Sequence, residues 1–223
     1  MAAILELEEN VETPVLKTRE RLLVAASRIF AEKGYQNTTI AEVCEQAQAN
    51  IASVNYHFQD KENLYLQAWR YAFQEDLNRY PSDGGVPKDA STEKRFAGRI
   101  RSLVSRIADP ESYFFSIVHK EMAVQTGVLE KILEKEIMPE RRAMMAIVAE
   151  LLGENATPQQ VQYCHASIVG QCFHLLQIKN AKISESARHD IMDMKNAAQF
   201  ANHVIVFSLA GIQAIRTQNQ SLL

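Results

Sequence analysis

A chain of 223 residues, 47% apolar and 23% charged, holds enough hydrophobic material for one medium domain or a small one joined to a larger one. Its formal charge of −3 and pI near 6.1 exclude a generally basic nucleic-acid coat, so any contact with nucleic acid has to be local. Three cysteines without paired spacing exclude a disulfide framework, and no stretch offers the ~20 apolar residues of a membrane span.

Reduced thiols point to the cytoplasm as the expected compartment. The opening MAAILELEENVETPV carries four glutamates and no cationic flank before an apolar run, which argues against a signal peptide. Residues 1–16 are expected to form a mobile acidic tail. A first helix is predicted from about Thr18, with Leu22, Leu23, Ala26, Ile29 and Phe30 on one stripe and Gly34 as a left-handed cap. Thr38 or Thr39 can cap a second, barely two turns long, with Ile40, Val43, Cys44 and Ala47 inward. Asn50 can cap a third with Val54 and Phe58 inward, and a longer fourth is predicted over about 60–80.

Residues 81–91, PSDGGVPKDAS, collect two each of Gly, Pro, Ser and Asp and read as a linker or mobile loop. Helical patterns follow at about 92–108, 111–125, 127–137, 139–153, 158–179 and 187–216, with no convincing strand and no internal repeat. The six prolines fall where these patterns start or stop. The expected fold is all-α.

Helices of two turns lose more in nucleation than they recover, so they persist only when packed into a unit whose shape is useful. A helix-turn-helix is such a unit, with its third helix sized for a major groove about 12 Å wide. On that helix Ile51, Ala52, Ser53 and Asn55 are small or neutral where a merely solvated face would carry Glu and Lys. Ser53 and Asn55 can bond base edges or bridging water, and Ile51 or Ala52 can touch a thymine methyl. Tyr56, His57 and Lys61 can address phosphate oxygens, as can the hydroxyls of Thr38 and Thr39. The same residues also admit a plainer account, with Thr39 and Asn50 as caps, Tyr56 and His57 as rim packing and Lys61 as a solvated charge. Charge does not separate the two, because residues 17–70 hold seven Lys or Arg against six acids. Lys17, Arg19 and Arg21 at the first helix's entrance can add phosphate contacts or simply be solvated.

The whole pattern RLLVAASRIFAEKGYQNTTIAEVCEQAQANIASVNYHFQDKENLY resembles the DNA-binding domain of the TetR family of bacterial transcriptional regulators. The likeness covers Thr18 to about Leu64 and rests on Ala26, Phe30 and Gly34, on the Thr-Thr-Ile entry, and on the Tyr-His-Phe exit followed by Lys61. It departs where the usual turn glycine is Gln48, the next apolar residue is Ala49, and a frequent tyrosine is Asn55. The wording NIA…NYHF…KENLY and the later FFSIVHKEMAVQTGVLEKILEKEIMPE look most like the CecR-type branch. The resemblance implies a helix-turn-helix domain over residues 17–63 and a helical regulatory, ligand-binding and dimerisation domain over 64–223. It gives Ile51, Ala52, Ser53 and Asn55 places facing the bases, and Thr39, Tyr56, His57 and Lys61 places facing phosphates, with Thr38 and Asn50 counted among the DNA-binding residues. It also implies a double-stranded DNA operator, a small-molecule effector, and most often a repressor released by that effector.

In the larger part, Tyr65, Trp69 and Phe73 recur every four residues as an aromatic stripe. SYFFSIVHKEMAV offers Tyr113, Phe114, Ile117, Val118 and Met122 around His119. These stripes can be plain core or the walls of a cavity, in which His119, Gln171 and His174 are the candidate polar groups. The last two helices carry small residues (Ala166, Gly170, Ala197, Ala201, Gly211) beside Ile168, Leu175, Val204, Ile205 and Leu209. Such faces suit a four-helix homodimer interface or an intramolecular bundle. A lever is then expected, with the fourth helix carrying the reading unit at its start and a cavity wall at its middle.

Catalysis is not expected. Cys164, His165, Cys172 and His174 crowd one helix, yet residues eight apart lie ~12 Å apart along its axis, too far for one zinc. There is no H-E-x-x-H, C-x-x-C, glycine-rich phosphate loop or G-x-S-x-G, so neither metal nor cofactor is expected. The alternative function is a helical adaptor that binds another protein without specific DNA binding.

Overall fold

The computed structural model describes residues 17–124, 127–181, 184, 186–187 and 196–221, so the expected acidic tail lies outside the described residues. Among those residues all regular structure is helical, with no strand. The helices are α1 (Thr18–Lys33), α2 (Ile40–Gln46), α3 (Ile51–Phe58), α4 (Lys61–Arg79), α5 (Thr92–Ala108), α6 (Phe114–Val124), α7 (Val128–Ile132), α8 (Met138–Leu152), α9 (Pro158–Asn180) and α10 (Ala197–Ser221). A π-helical turn, Leu133–Ile137, joins α7 to α8. Of the expected final helix, residues 188–195 fall outside the described residues.

The apolar stripe of α1 is buried as its spacing predicts, with Leu22, Ala26 and Phe30 fully enclosed. Gly34 ends it at φ 76°, ψ 172°, which is not the left-handed cap expected but an extended positive-φ conformation open essentially to glycine alone. Its N–H still bonds the Phe30 carbonyl. Thr39, not Thr38, caps α2. The Thr39 hydroxyl accepts from the Glu42 N–H at 3.2 Å, while the Glu42 carboxylate accepts from the Thr39 N–H at 2.9 Å.

Two tight turns set the angle of α3. Gln48 takes φ 49° in the turn after α2, and the Arg21 guanidinium donates to the Ala47 carbonyl at 3.0 Å, tying that turn to α1. After α3, Gln59 sits at φ 70°, ψ −55°, with the Asp60 N–H on the Phe58 carbonyl at 2.8 Å. Asp60 then caps α4 through the Asn63 N–H at 2.7 Å. Val43, Val54 and Phe58 close the small core against α1. Each buried phenylalanine there is worth about 1.5–3 kcal/mol.

Helix α4 belongs to both halves of the molecule. Its first turns pack on α1, where the Ser27 hydroxyl donates to the Ala68 carbonyl at 2.9 Å, and its later turns meet α6 through Trp69, Phe73 and Phe114. Helices α5, α8, α9 and α10 form the body of the larger part.

Residues 81–91 do form a loop, but not a free linker. Gly84 and Gly98 approach so closely that a Cβ on either would collide with backbone across the gap, and the Ser102 hydroxyl donates to the Tyr80 carbonyl at 3.1 Å. The expected break near Pro139 is absent as well. The Met138 N–H bonds the Leu133 carbonyl five residues back, and this wider turn carries the helix into the proline.

Against the expectation that no stretch offers the apolar length of a membrane span, helix α10 is long and apolar enough for one by length and composition, its most apolar 18 residues having a mean hydropathy of 1.3. It packs inward along one side only, through Ala201, Val204, Ile205, Ser208 and Ile212.

Candidate nucleic-acid interface and interior cavity

Helix α3 turns Val54 and Phe58 inward and leaves Ile51, Ala52, Asn55 and Tyr56 exposed, Tyr56 to 83%. No charged side chain lies on that face. Asn50 caps the helix, its side-chain oxygen accepting from the Ser53 N–H at 2.8 Å and from the Ser53 hydroxyl at 2.9 Å. Ser53 thereby spends its proton locally and faces outward as an acceptor. Tyr56 and His57 meet edge to face at 4.8 Å, so the tyrosine is steadied near its ring while its hydroxyl stays free to reach.

Around this face lie the groups expected at phosphates. Thr39 is exposed beside the start of α2, and Lys61 rests 4.4 Å above the Tyr35 ring at the start of α4. Arg19 lies over the Phe58 ring at 5.5 Å and donates to Gln67, so part of its donor capacity is used within the protein. Thr38 requires a correction: it is buried and its hydroxyl donates to the Gly34 carbonyl at 2.8 Å, which makes it a strut of the turn. Arg21 likewise serves the Ala47 carbonyl. Glu42 is held ionised down to about 2 by the Lys33 ammonium and the Thr39 hydrogen bonds, which fixes the entry of α2.

An interior cavity of about 280 Å³ opens among α4, α5, α6, α8 and α9. Phe73, Leu103, Phe114, Phe115, Val118 and Phe173 give it apolar walls, and Arg99, Arg106, Glu140, Arg141 and His165 give it polar ones. Phe114 links the wall, 4.7 Å from Phe73 and 5.1 Å from Phe115, whose ring is 5.6 Å from Phe173. Arg99 bonds Glu140 at 3.1 Å. Burial, helped by the nearby Arg141 charge, pulls the His165 imidazole down from its ordinary range and leaves it neutral.

Of the nine residues expected here, Phe73, Phe114 and Val118 line the cavity. Tyr65 and Trp69 are core instead, 5.8 Å apart between rings, with the Tyr65 hydroxyl donating to Glu121 at 3.1 Å. Glu121 takes the inward place on the last turn of α6, so the buried stripe runs 114, 117, 118, 121. That rotation leaves His119 and Met122 exposed, Met122 to 62%. His174 is exposed on α9, and Gln171 sits at the α9–α10 seam, bonded to the Ser167 carbonyl and the Ser208 hydroxyl at 3.2 and 3.5 Å.

The polar lining was missed, although a signal for it exists. Arg99, Leu103 and Arg106 stand at i, i+4, i+7 on α5, and Ile137, Glu140, Arg141 and Met144 at i, i+3, i+4, i+7 around the start of α8. Each set is one stripe facing the same space.

A third feature lies on the outside of α9 and α10. Tyr163, Val206 and Phe207 are exposed, the last two to 69% and 63%, with Ala166, Gly170, Ala210 and Gly211 beside them. The apolar residues expected on this face require a correction: Ile168, Leu175, Val204 and Ile205 are buried within the bundle of this chain, as is Ala201, and Leu209 is partly buried against it.

Two sequence profiles match the chain. Residues 22–68 match bacterial regulatory proteins of the TetR family, and residues 92–212 match the C-terminal domain of the HTH-type transcriptional dual regulator CecR. The HTH-type transcriptional regulator AcrR of Shigella flexneri is 23% identical over 151 residues, which are 66% of this chain and 56% of AcrR. The HTH-type transcriptional repressor AcnR of Corynebacterium glutamicum is 30% identical over 108 residues, 48% of this chain and 50% of AcnR. The chain therefore spans only about half the length of these curated relatives. The crystal structure of the regulator FadR from Bacillus subtilis, in complex with stearoyl-CoA, superimposes with a TM-score of 0.64 at 17% identity, covering 86% of this chain and 97% of that one.

Proposed function

The chain belongs to the TetR family of bacterial transcriptional regulators, with a C-terminal domain of the CecR type, and on that premise we propose that it is a homodimeric repressor whose grip on an operator is released by a small, largely apolar effector. The outer face of α3 reads the bases through Ile51, Ala52, Ser53 and Asn55. Thr39, Tyr56, His57 and Lys61 hold the flanking phosphates, with Asn50 setting the helix start.

One observation carries this reading: α4 is a single continuous helix joined to the reading unit at Ala68 and to the cavity wall at Phe73. A ligand that favours one packing of Phe73 against Phe114 shifts α4, and with it the separation of two reading helices. A coupling of ~1–3 kcal/mol changes operator affinity by roughly 5–150-fold. The outer faces of α9 and α10 supply the dimer contact, which sets those helices ~34–36 Å apart to meet successive major grooves. The repressor named AcnR and the acyl-CoA-bound FadR support the direction of control and the existence of an effector. Such a regulator works in the cytoplasm.

The test is retardation of the DNA upstream of its own gene, in competition with unrelated genomic fragments and over a range of salt. The expected result is selective, salt-sensitive binding that weakens by roughly 5–150-fold in both Asn55→Ala and Tyr56→Ala, with helix content unchanged. Unaltered operator affinity in both variants rejects the assignment of the α3 face.

A further inference from the structure

We propose that the effector is a compact apolar acid whose carboxylate is bound by Arg106 at the inner wall of the cavity. This deepens the functional reading above and rests on its assignment of the cavity as the effector site.

Arg106 is 5% exposed, lines the cavity, and has no hydrogen-bond partner at its Nε. Among the described residues no carboxylate lies within 4.0 Å of its guanidinium. The two acids close enough to influence it are already engaged: Asp76 accepts from the Ser112 hydroxyl, and Glu140 from Arg99. Its remaining companion is the Phe115 ring, 5.6 Å from the guanidinium carbon.

A buried guanidinium with no anion in contact is unfavourable, and Asp76 and Glu140, which favour its charge from a distance, do not outweigh its burial. The cavity lining as a whole has the same bias, with Arg99, Arg106 and Arg141 against Glu140 alone and His165 neutral. A carboxylate fits this lack in both shape and charge. Its two oxygens match the planar fork of Arg106, and its charge offsets part of the excess that Arg99, Arg106 and Arg141 leave over Glu140. Phe73, Phe114, Phe115 and Phe173 receive the rest of the molecule, and a volume of about 280 Å³ is at the small end for ligand sites, which favours a compact acid over a coenzyme thioester.

Titration calorimetry on the full chain compares 4-isopropylbenzoate with its neutral isostere 4-isopropylbenzamide. The expected result is benzoate binding tighter than amide by roughly 10–100-fold. Arg106→Met removes that preference without weakening the amide and raises the melting temperature, while Arg106→Lys keeps part of it. A merely structural arginine predicts the opposite, a lower melting temperature and equal loss of both ligands. Equal affinity of wild type for the two probes, unchanged benzoate affinity in Arg106→Met, or no binding of either at millimolar concentration overturns the proposal. Val118→Trp, which fills the cavity, separates the two layers. If both probes bind wild type equally and both are lost in this variant, the charge assignment fails and the cavity assignment stands. If it leaves their binding intact, the cavity assignment itself fails.

Discussion

Asp76 is 1% exposed on α4, and its carboxylate accepts a hydrogen bond from Ser112. Burial pushes the carboxyl up to about 6, outweighing the Ser112 bond and the Arg106 and Arg79 charges that pull it down, while Asp109 adds to the rise. A carboxyl raised in the native state stabilises the fold fully below its ordinary value, and that contribution is lost as pH rises through the raised one. At neutral pH the charged form is therefore a cost, on the order of 3 kcal/mol for a shift of about two units. Asp76→Asn, which keeps the acceptor for Ser112, should match wild type near pH 4 and exceed it by about 2–3 kcal/mol at pH 7.5 in urea denaturation. A variant equal to or weaker than wild type at pH 7.5 contradicts this. Residues of this kind were not legible in the sequence, because a single acid in QEDLNR looks like any solvated helical charge until its neighbours are known. The same holds for Arg106 and Thr38, whose roles depend on what faces them. Thr39 and Asn50 were legible because caps act on backbone three residues away.

At the scale of the element, periodicity placed α1 to α5 and α9 closely, since their buried stripes are long and their ends carry caps. It failed where one element's course depends on another. The π turn at Leu133–Ile137 absorbs Pro139, so a residue that reads as a boundary lies inside a continuous helix. Helix α6 was placed correctly but rotated wrongly, because Glu121 turns inward to meet Tyr65 from α4. The loop at 81–91 was recognised by composition, yet its anchoring depends on Gly98 in α5, and no local pattern reports that. A methyl on Gly98 meets the Asp83 carbonyl and Val86. Gly98→Ala is expected to cost at least ~1–3 kcal/mol and to expose the Gly84–Gly85 peptide to limited proteolysis. Unchanged stability and an unchanged cleavage pattern would show that the loop is not held by this approach.

For the whole molecule, the proposed function requires the outer face of α9 and α10 and the outer face of α3 to act together. A single reading helix contacts too few base pairs to select one site in a genome, whereas two related by a two-fold axis double the readout. Phe207 and Val206 would supply the proposed axis with apolar material, since they lie on α10 opposite the side packed into the bundle. Sequence alone suggested this pairing from small residues, and it left a one-chain bundle open because the same spacing serves both. Exposure at Phe207 favours the pairing. Hydroxyl-radical footprinting of the DNA upstream of the gene, with wild type and Phe207→Glu side by side, brings both faces into one measurement. Two protected patches centred about 10–10.5 base pairs or a multiple apart, present with wild type and lost with the variant, are the result this account predicts. A single unpaired patch, or protection that is the same in the variant, would contradict it.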